Sequence, residues 1–156
     1  MKYTLLKLDG TKAEMDGSVS KYITDKEASC SHCGECVVFE PMVQLFNEVR
    51  DFIGNPIIIN SFYRCPDYQK ILQGTNKNAA TYSPHVTGAA MDLAIPRDLD
   101  LNQFKTLFSV MSRRLGFGKP RFGYKQYDYR FLHVDLVYLV PGLTHKPASW
   151  REGVEW

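Results

Sequence analysis

The sequence predicts an α+β domain in which helices pack against one face of a small, mainly antiparallel sheet that carries a set of metal ligands. Three observations lead there. Residues 41–53 and 101–115 each carry apolar side chains at helical spacing. Residues 57–62, 89–95 and 131–140 are apolar runs bounded by proline or glycine, the pattern of short strands. The histidines and carboxylates suited to a divalent cation fall on or beside two of those strands.

Taken in order, residues 3–8 alternate weakly and read as an edge strand. Residues 9–29 are polar, with Gly10 and Gly17 as turn points, and read as a peripheral segment lying across the domain. In the first helix, 41–53, Met42, Leu45, Phe46, Val49, Phe52 and Ile53 form one apolar face. Pro41 opens it in the first turn and Gly54 closes it. Pro56 leads into the strand 57–62, and 66–73 reads as a short helix stopped by Gly74. Residues 74–84 are polar and read as a loop bordering the site. The strand 89–95 ends at Pro96. Asp100 and Gln103 are spaced for a reciprocal helix cap. The helix 101–115 then buries Leu101, Phe104, Leu107, Phe108, Met111 and Leu115. A glycine-punctuated stretch, 117–124, leads through a hairpin turn near 126–130 into the strand 131–140, which Pro141 ends.

The chain has 156 residues, 44% of them hydrophobic, which is enough to bury the core of one domain. No internal repeat or linker divides it, so residues 1–156 are expected to form a single, monomeric domain. The charged fraction is 23% and the formal net charge +2. With no concentrated basic stripe, this balance argues against a nucleic-acid module. No apolar run is long enough to span a bilayer, so no membrane span is expected. The first ten residues lack the apolar core and cleavage site of a signal peptide, so synthesis in the cytoplasm is expected.

The chemistry centres on Ser83-Pro84-His85-Val86-Thr87-Gly88-Ala89-Ala90-Met91-Asp92, an S-x-H-x-x-G-x-A-x-D pattern. Gly88 lets the backbone turn so that His85 and Asp92 converge. About forty residues on, Phe131-Leu132-His133-Val134-Asp135 places His133 and Asp135 two apart on a strand, hence on one face. If the strand carrying Asp92 pairs near this one, His133 completes a His85/Asp92/His133 set. Catalytic zinc takes three such nitrogen and oxygen ligands and keeps one position open. Arg64 lies where a buried strand gives way to a helix and needs an anionic partner there.

Cys30, Cys33 and Cys36 stand in C-x2-C-x2-C spacing, with His32 among them, and Cys65 is the fourth cysteine. The first reading is reduced thiols buried or loosely paired in a turn. The alternative is a second, structural zinc, which needs Cys65 to fold back onto the trio.

Ile59-Asn60-Ser61-Phe62-Tyr63-Arg64-Cys65-Pro66, the His85/Asp92 motif and the F-x-H-V-D strand together resemble the D-alanyl-D-alanine metallocarboxypeptidase and phage endolysin peptidase family, whose fold is shared with the hedgehog signalling domain. The likeness runs from about residue 30 to 150. It implies a zinc-bound water attacking a peptide carbonyl in the stem peptide or cross-link of bacterial peptidoglycan. Mild basicity suits that anionic wall. The enzyme would reach the wall after release from the cell or as part of a phage particle. The resemblance makes Arg64 the cation that steadies the carbonyl oxygen as it becomes anionic. Ser83 would orient substrate or His85, and Tyr124 and Trp150 would shape the substrate cleft. Many relatives carry a base three residues before the last ligand histidine, or a histidine two before it. Here those positions are Arg130 and Phe131. Asp135 is therefore the first candidate for the base, with an orienting role toward a ligand histidine as its alternative. Asp128 and Glu152 are weaker candidates. The missing base also leaves open a second function: a metal-bearing binding module that has lost catalysis.

Overall fold

The computed structural model describes residues 1–75, 83–125 and 128–143. A hairpin of β1 (Lys2–Leu6) and β2 (Lys12–Asp16) comes first, followed by a one-turn helix α1 (Asp25–Ala28) and β3 (Val37–Phe39). Helix α2 (Glu40–Ile53), β4 (Ile59–Ser61), α3 (Pro66–Thr75), β5 (Ala90–Ala94), α4 (Leu101–Arg114), β6 (Arg121–Lys125) and β7 (Asp128–Asp135) complete the order. No helix among the described residues is long and apolar enough to cross a membrane.

The strands form two sheets. β4-β5-β7-β6 is antiparallel throughout, as the sequence predicts. The second sheet, β2-β1-β3, corrects the reading of the N-terminus: β1 is its central strand, antiparallel to β2 and parallel to β3. Residues 12–16 alternate polar and apolar over only five residues that stay largely exposed, and the pairing with β1 is what makes them a strand.

Helices α2 and α4 match their predicted spans closely. Pro41 stands in the first turn of α2, and Gly54 caps its end at φ 73°, donating its N–H to the Arg50 carbonyl. The expected cap of α4 is present: the Gln103 N–H donates to Asp100 Oδ1 at 2.8 Å, and the Asp100 N–H to Gln103 Oε1 at 2.9 Å. Thr24 and Glu27 make the same reciprocal cap on α1. Helix α3 runs through Gly74 to Thr75, one turn's fraction beyond the expected stop. The last strand ends earlier than expected, at Asp135, and Val137–Leu139 form a short 3-10 turn.

The pleat decides which side chains reach the core. Met91 and Leu93 of β5, with Leu132 and Val134 of β7, join Phe104 and Phe108 of α4 and Leu45 and Phe46 of α2 in one buried cluster. Alternation therefore sends Asp92, His133 and Asp135 to the opposite face of the sheet.

Candidate metal centre

The register brings the expected ligands together. Asp92 on β5 lies directly opposite His133 on β7, and Ser61 of β4 lies opposite Asp92 on its other side. His85 reaches the same point from the 3-10 turn Pro84–Thr87. Ser83 caps that turn, its Oγ accepting the His85 N–H at 3.3 Å. Gly88 ends the turn at φ 67° against β3, where a Cβ would stand 2.1 Å from the Val37 carbonyl oxygen and 2.6 Å from Val38 Cα. Only glycine fits, because both the left-handed backbone and the closeness of β3 exclude a side chain. The Gly88 carbonyl in turn accepts the Phe39 N–H.

One ligand atom from each of His85, Asp92 and His133 lies within 4.8 Å of the other two, and all three residues are buried. His85 Nδ1 stands 2.7 Å from the Phe62 carbonyl oxygen. A carbonyl only accepts, so Nδ1 carries the proton and Nε2 presents a bare lone pair. That Nε2 is fully buried, 3.2 Å from Asp92 Oδ1, and makes no hydrogen bond. Burial holds the His85 pKa below its ordinary value despite the Asp92 carboxylate, which keeps the ring neutral.

His133 is placed differently. Its Nδ1 is 2.8 Å from Asp92 Oδ1 and its Nε2 is 2.9 Å from Asp135 Oδ2. Burial opposes a charge on this ring, but the hydrogen bonds to Asp135 and Asp92 overcome it and raise the pKa to about 9. Burial likewise opposes charge on Asp92, yet the hydrogen bond and the charge of His133 hold its carboxyl well below the usual carboxylate range. Metal-free, the site thus keeps a proton between Asp92 and His133. An orphaned buried nitrogen, an ionised carboxylate and a second imidazole nitrogen, freed when that proton leaves, are a donor set that fits a zinc-class cation.

Arg64 is brought to the same cluster. Its guanidinium donates to Gln69 Oε1 at 2.9 Å and to Ser61 Oγ at 3.3 Å, and its NH2 lies 3.9 Å from Asp92 Oδ2. Its own N–H donates to the His85 carbonyl. Gln69, which is buried, was not singled out from sequence, and neither was Arg121. Arg121 Nε lies 3.4 Å from Asp135 Oδ1. Asp135 is fully buried, and its Oδ1 also accepts the Val137 N–H at 3.2 Å. The pattern that reveals Arg121 is its position on β6, opposite Asp135 in the register, which the sequence does not disclose.

The other expected site residues fare unevenly. Tyr124 does not join the cluster: Lys105 Nζ of α4 lies 5.8 Å from the rings of both Phe122 and Tyr124. Tyr124 thus lies beside Lys105 of α4, at the point where the pairing of β6 with β7 shifts register, whereas Arg121 and Gly123 pair with Asp135 and His133. Trp150, Glu152 and the side chain of Asp128 lie outside the described residues. Of the four cysteines, Cys30, Cys33 and Cys65 gather, whereas Cys36 turns into the core and donates its S–H to the Ala28 carbonyl at 3.5 Å.

The fold is similar to that of the L-Ala D-Glu endopeptidase ChiX of Serratia marcescens, with a TM-score of 0.48 and 15% identity over 66% of this chain and 84% of that one. No curated protein matches the sequence. The sequence model of the peptidase M15 family matches residues 18–135, starting earlier than the motif likeness and including the whole metal centre. Since that match spans well over half of the 156 residues, the chain belongs to the peptidase M15 family.

Proposed function

We propose that this protein is a zinc-dependent peptidase that hydrolyses peptide bonds in the stem peptide or cross-link of bacterial peptidoglycan. The observation that carries the reading is the convergence of His85 Nε2, Asp92 and His133 with a braced cation, Arg64, 3.9 Å from the far oxygen of Asp92. Family membership supports the peptidase chemistry, and the motif likeness of residues 59–66, 83–92 and 131–135 supports the peptidoglycan substrate.

His85, Asp92 and His133 would hold a zinc ion, which would supply a Lewis acid and lower the pKa of a water to about 7. The protein's own part is positional and electrostatic. The Phe62 carbonyl fixes the His85 tautomer with Nε2 turned inward. Asp135 fixes His133 from behind, holding Nδ1 toward Asp92, and Arg121 and the Val137 N–H hold Asp135. With both oxygens engaged and no exposure to water, Asp135 acts as the orienting group, and the water's proton acceptor is another residue. Gln69 and Ser61 hold the Arg64 guanidinium in place before substrate arrives, so its charge meets the developing oxyanion without reorganisation.

The test is digestion of purified peptidoglycan, with and without a chelator, and identification of the products by mass. Chelator-sensitive release of defined peptides is expected, and their masses distinguish an endopeptidase from a carboxypeptidase. Zinc binding with no product from several wall types would overturn the enzymatic reading in favour of a binding module.

A further inference from the structure

The residue after Arg64 belongs to a second donor cluster of different chemistry. The Sγ atoms of Cys30, Cys33 and Cys65 lie within 4.8 Å of one another, and none is in a disulfide. Zinc–sulfur bonds of about 2.3 Å place tetrahedral thiolates roughly 3.8 Å apart, within the reach of this cluster.

The backbone around these sulfurs is arranged to favour thiolate. The Cys65 N–H donates to Cys30 Sγ at 3.3 Å, and the Tyr68 N–H to Cys65 Sγ at 3.3 Å. Burial works against ionising Cys30, yet hydrogen bonding from the backbone N–H groups of Cys65, Cys33 and His32 brings its pKa below the ordinary thiol value. Cys33 shows the cost of a second charge. The Glu35 N–H favours its thiolate, but desolvation and the Cys65 and Cys30 sulfurs push it up to about 11. Three thiols so close cannot all ionise unless a cation relieves their repulsion.

Cys36 provides the contrast. Burial, with the Asp25 charge, pushes its thiol up to about 12, and it bonds a core carbonyl as an ordinary buried cysteine does. Sequence spacing placed Cys36 with Cys30 and Cys33. The four-cysteine site also needed Cys65 to fold back; the fold brings Cys65 in, thirty-five residues along the chain from Cys30, and leaves Cys36 out. Cys30 and Cys65 are buried and Cys33 is exposed, so a cation has an open side from which to enter.

We propose that Cys30, Cys33 and Cys65 hold a second cation of the zinc class, which ties the turn at 30–33 to the start of α3. Thiolates select a borderline-soft, tetrahedral metal, and magnesium and calcium are excluded by the absence of oxygen donors among the three. Because Cys65 directly follows Arg64, this tie also anchors the backbone that presents the guanidinium to Asp92.

Metal content and spectra of the cobalt-substituted full chain, kept reduced, test the site without measuring activity. Wild type is expected to bind two equivalents and to show thiolate-to-cobalt charge-transfer bands. Cys33→Ser, at an exposed position that the fold tolerates, should drop to one equivalent and lose the bands. Cys36→Ser should keep both equivalents and the bands. His133→Ala should lose one equivalent yet retain the bands, so failure of the other metal centre is distinguishable from failure of this one. The proposal is overturned if cobalt-loaded wild type lacks the bands, or if Cys33→Ser, folded by circular dichroism, keeps two equivalents.

Discussion

The two donor clusters hold three ligand atoms each within the same 4.8 Å span, yet they are built in opposite ways. Around His85, Asp92 and His133 the neighbours are side chains carrying charge: Arg64, Asp135 and, behind it, Arg121. Around Cys30 and Cys65 the partners are backbone N–H groups, while Cys33 Sγ donates to Glu35 Oε2 at 3.8 Å. Charged side chains impose direction and can respond to charge that develops during a reaction. Backbone donors stabilise a fixed set of thiolates and offer nothing to a substrate. The difference teaches that the number of possible ligand atoms does not tell the two clusters apart, whereas what surrounds those atoms does. The two clusters also meet mechanically, since Gly88 of the first presses on Val37 and Val38, just past the cysteine turn.

The largest expected effect removes one side of this comparison. His133→Ala should abolish metal binding at the His/Asp/His centre and bring peptidoglycan hydrolysis below detection, as measured by product release. Gly88→Ala strikes the contact between the two regions. A left-handed alanine whose Cβ meets backbone of β3 should cost about 3 kcal/mol, read as a lowered denaturation midpoint. Arg64→Ala should keep the metal and lose turnover on the order of a hundredfold, chiefly in kcat. A normal kcat in that variant would remove Arg64 from the transition state. Asp135→Asn keeps the shape but weakens the acceptor behind His133, so metal affinity or rate should fall roughly tenfold. Full retention of both would make Asp135 merely a buried partner of Arg121.

The smallest effect is a pH dependence of stability in the metal-free protein. His133 is raised from an unfolded value of about 6.5 to about 9. Its contribution is therefore complete below the unfolded pKa and is lost as pH rises through the folded one. The Tm difference between wild type and His133→Gln should shrink from pH 6.5 to 9. His85, shifted down by burial, acts only below that window.

Much of the metal centre was legible because its signals are local. His85 and Asp92 share one short motif with Gly88, and His133 and Asp135 share one strand, so spacing alone placed each pair. The cap of α4 was legible for the same reason, since Asp100 and Gln103 are neighbours on one turn. Gln69 and Arg121 were not, because each finds its partner across elements. The second sheet escaped because β2 is a five-residue, largely exposed strand whose weak alternation is recognised only through its pairing with β1. The surroundings of Tyr124 were not legible, because they depend on the pairing of β6 with β7, whose register shifts between Gly123 and Lys125.

The sequence by itself determined the α+β class, the buried Met42, Leu45, Phe46 and Val49 of α2 and Phe104, Phe108 and Met111 of α4, and the His85/Asp92 and His133/Asp135 pairs, because periodicity and short motifs are properties of neighbouring residues. Phe52, expected on the same face of α2, is exposed instead, and the register of β5 with β7 joined the two pairs. Tertiary structure alone decided which nitrogen of His85 faces inward, that Asp135 is spent on His133, and that Cys65 rather than Cys36 joins Cys30 and Cys33. Those outcomes depend on a carbonyl, a cross-strand register and a helix start contributed by distant parts of the chain, which no local pattern encodes.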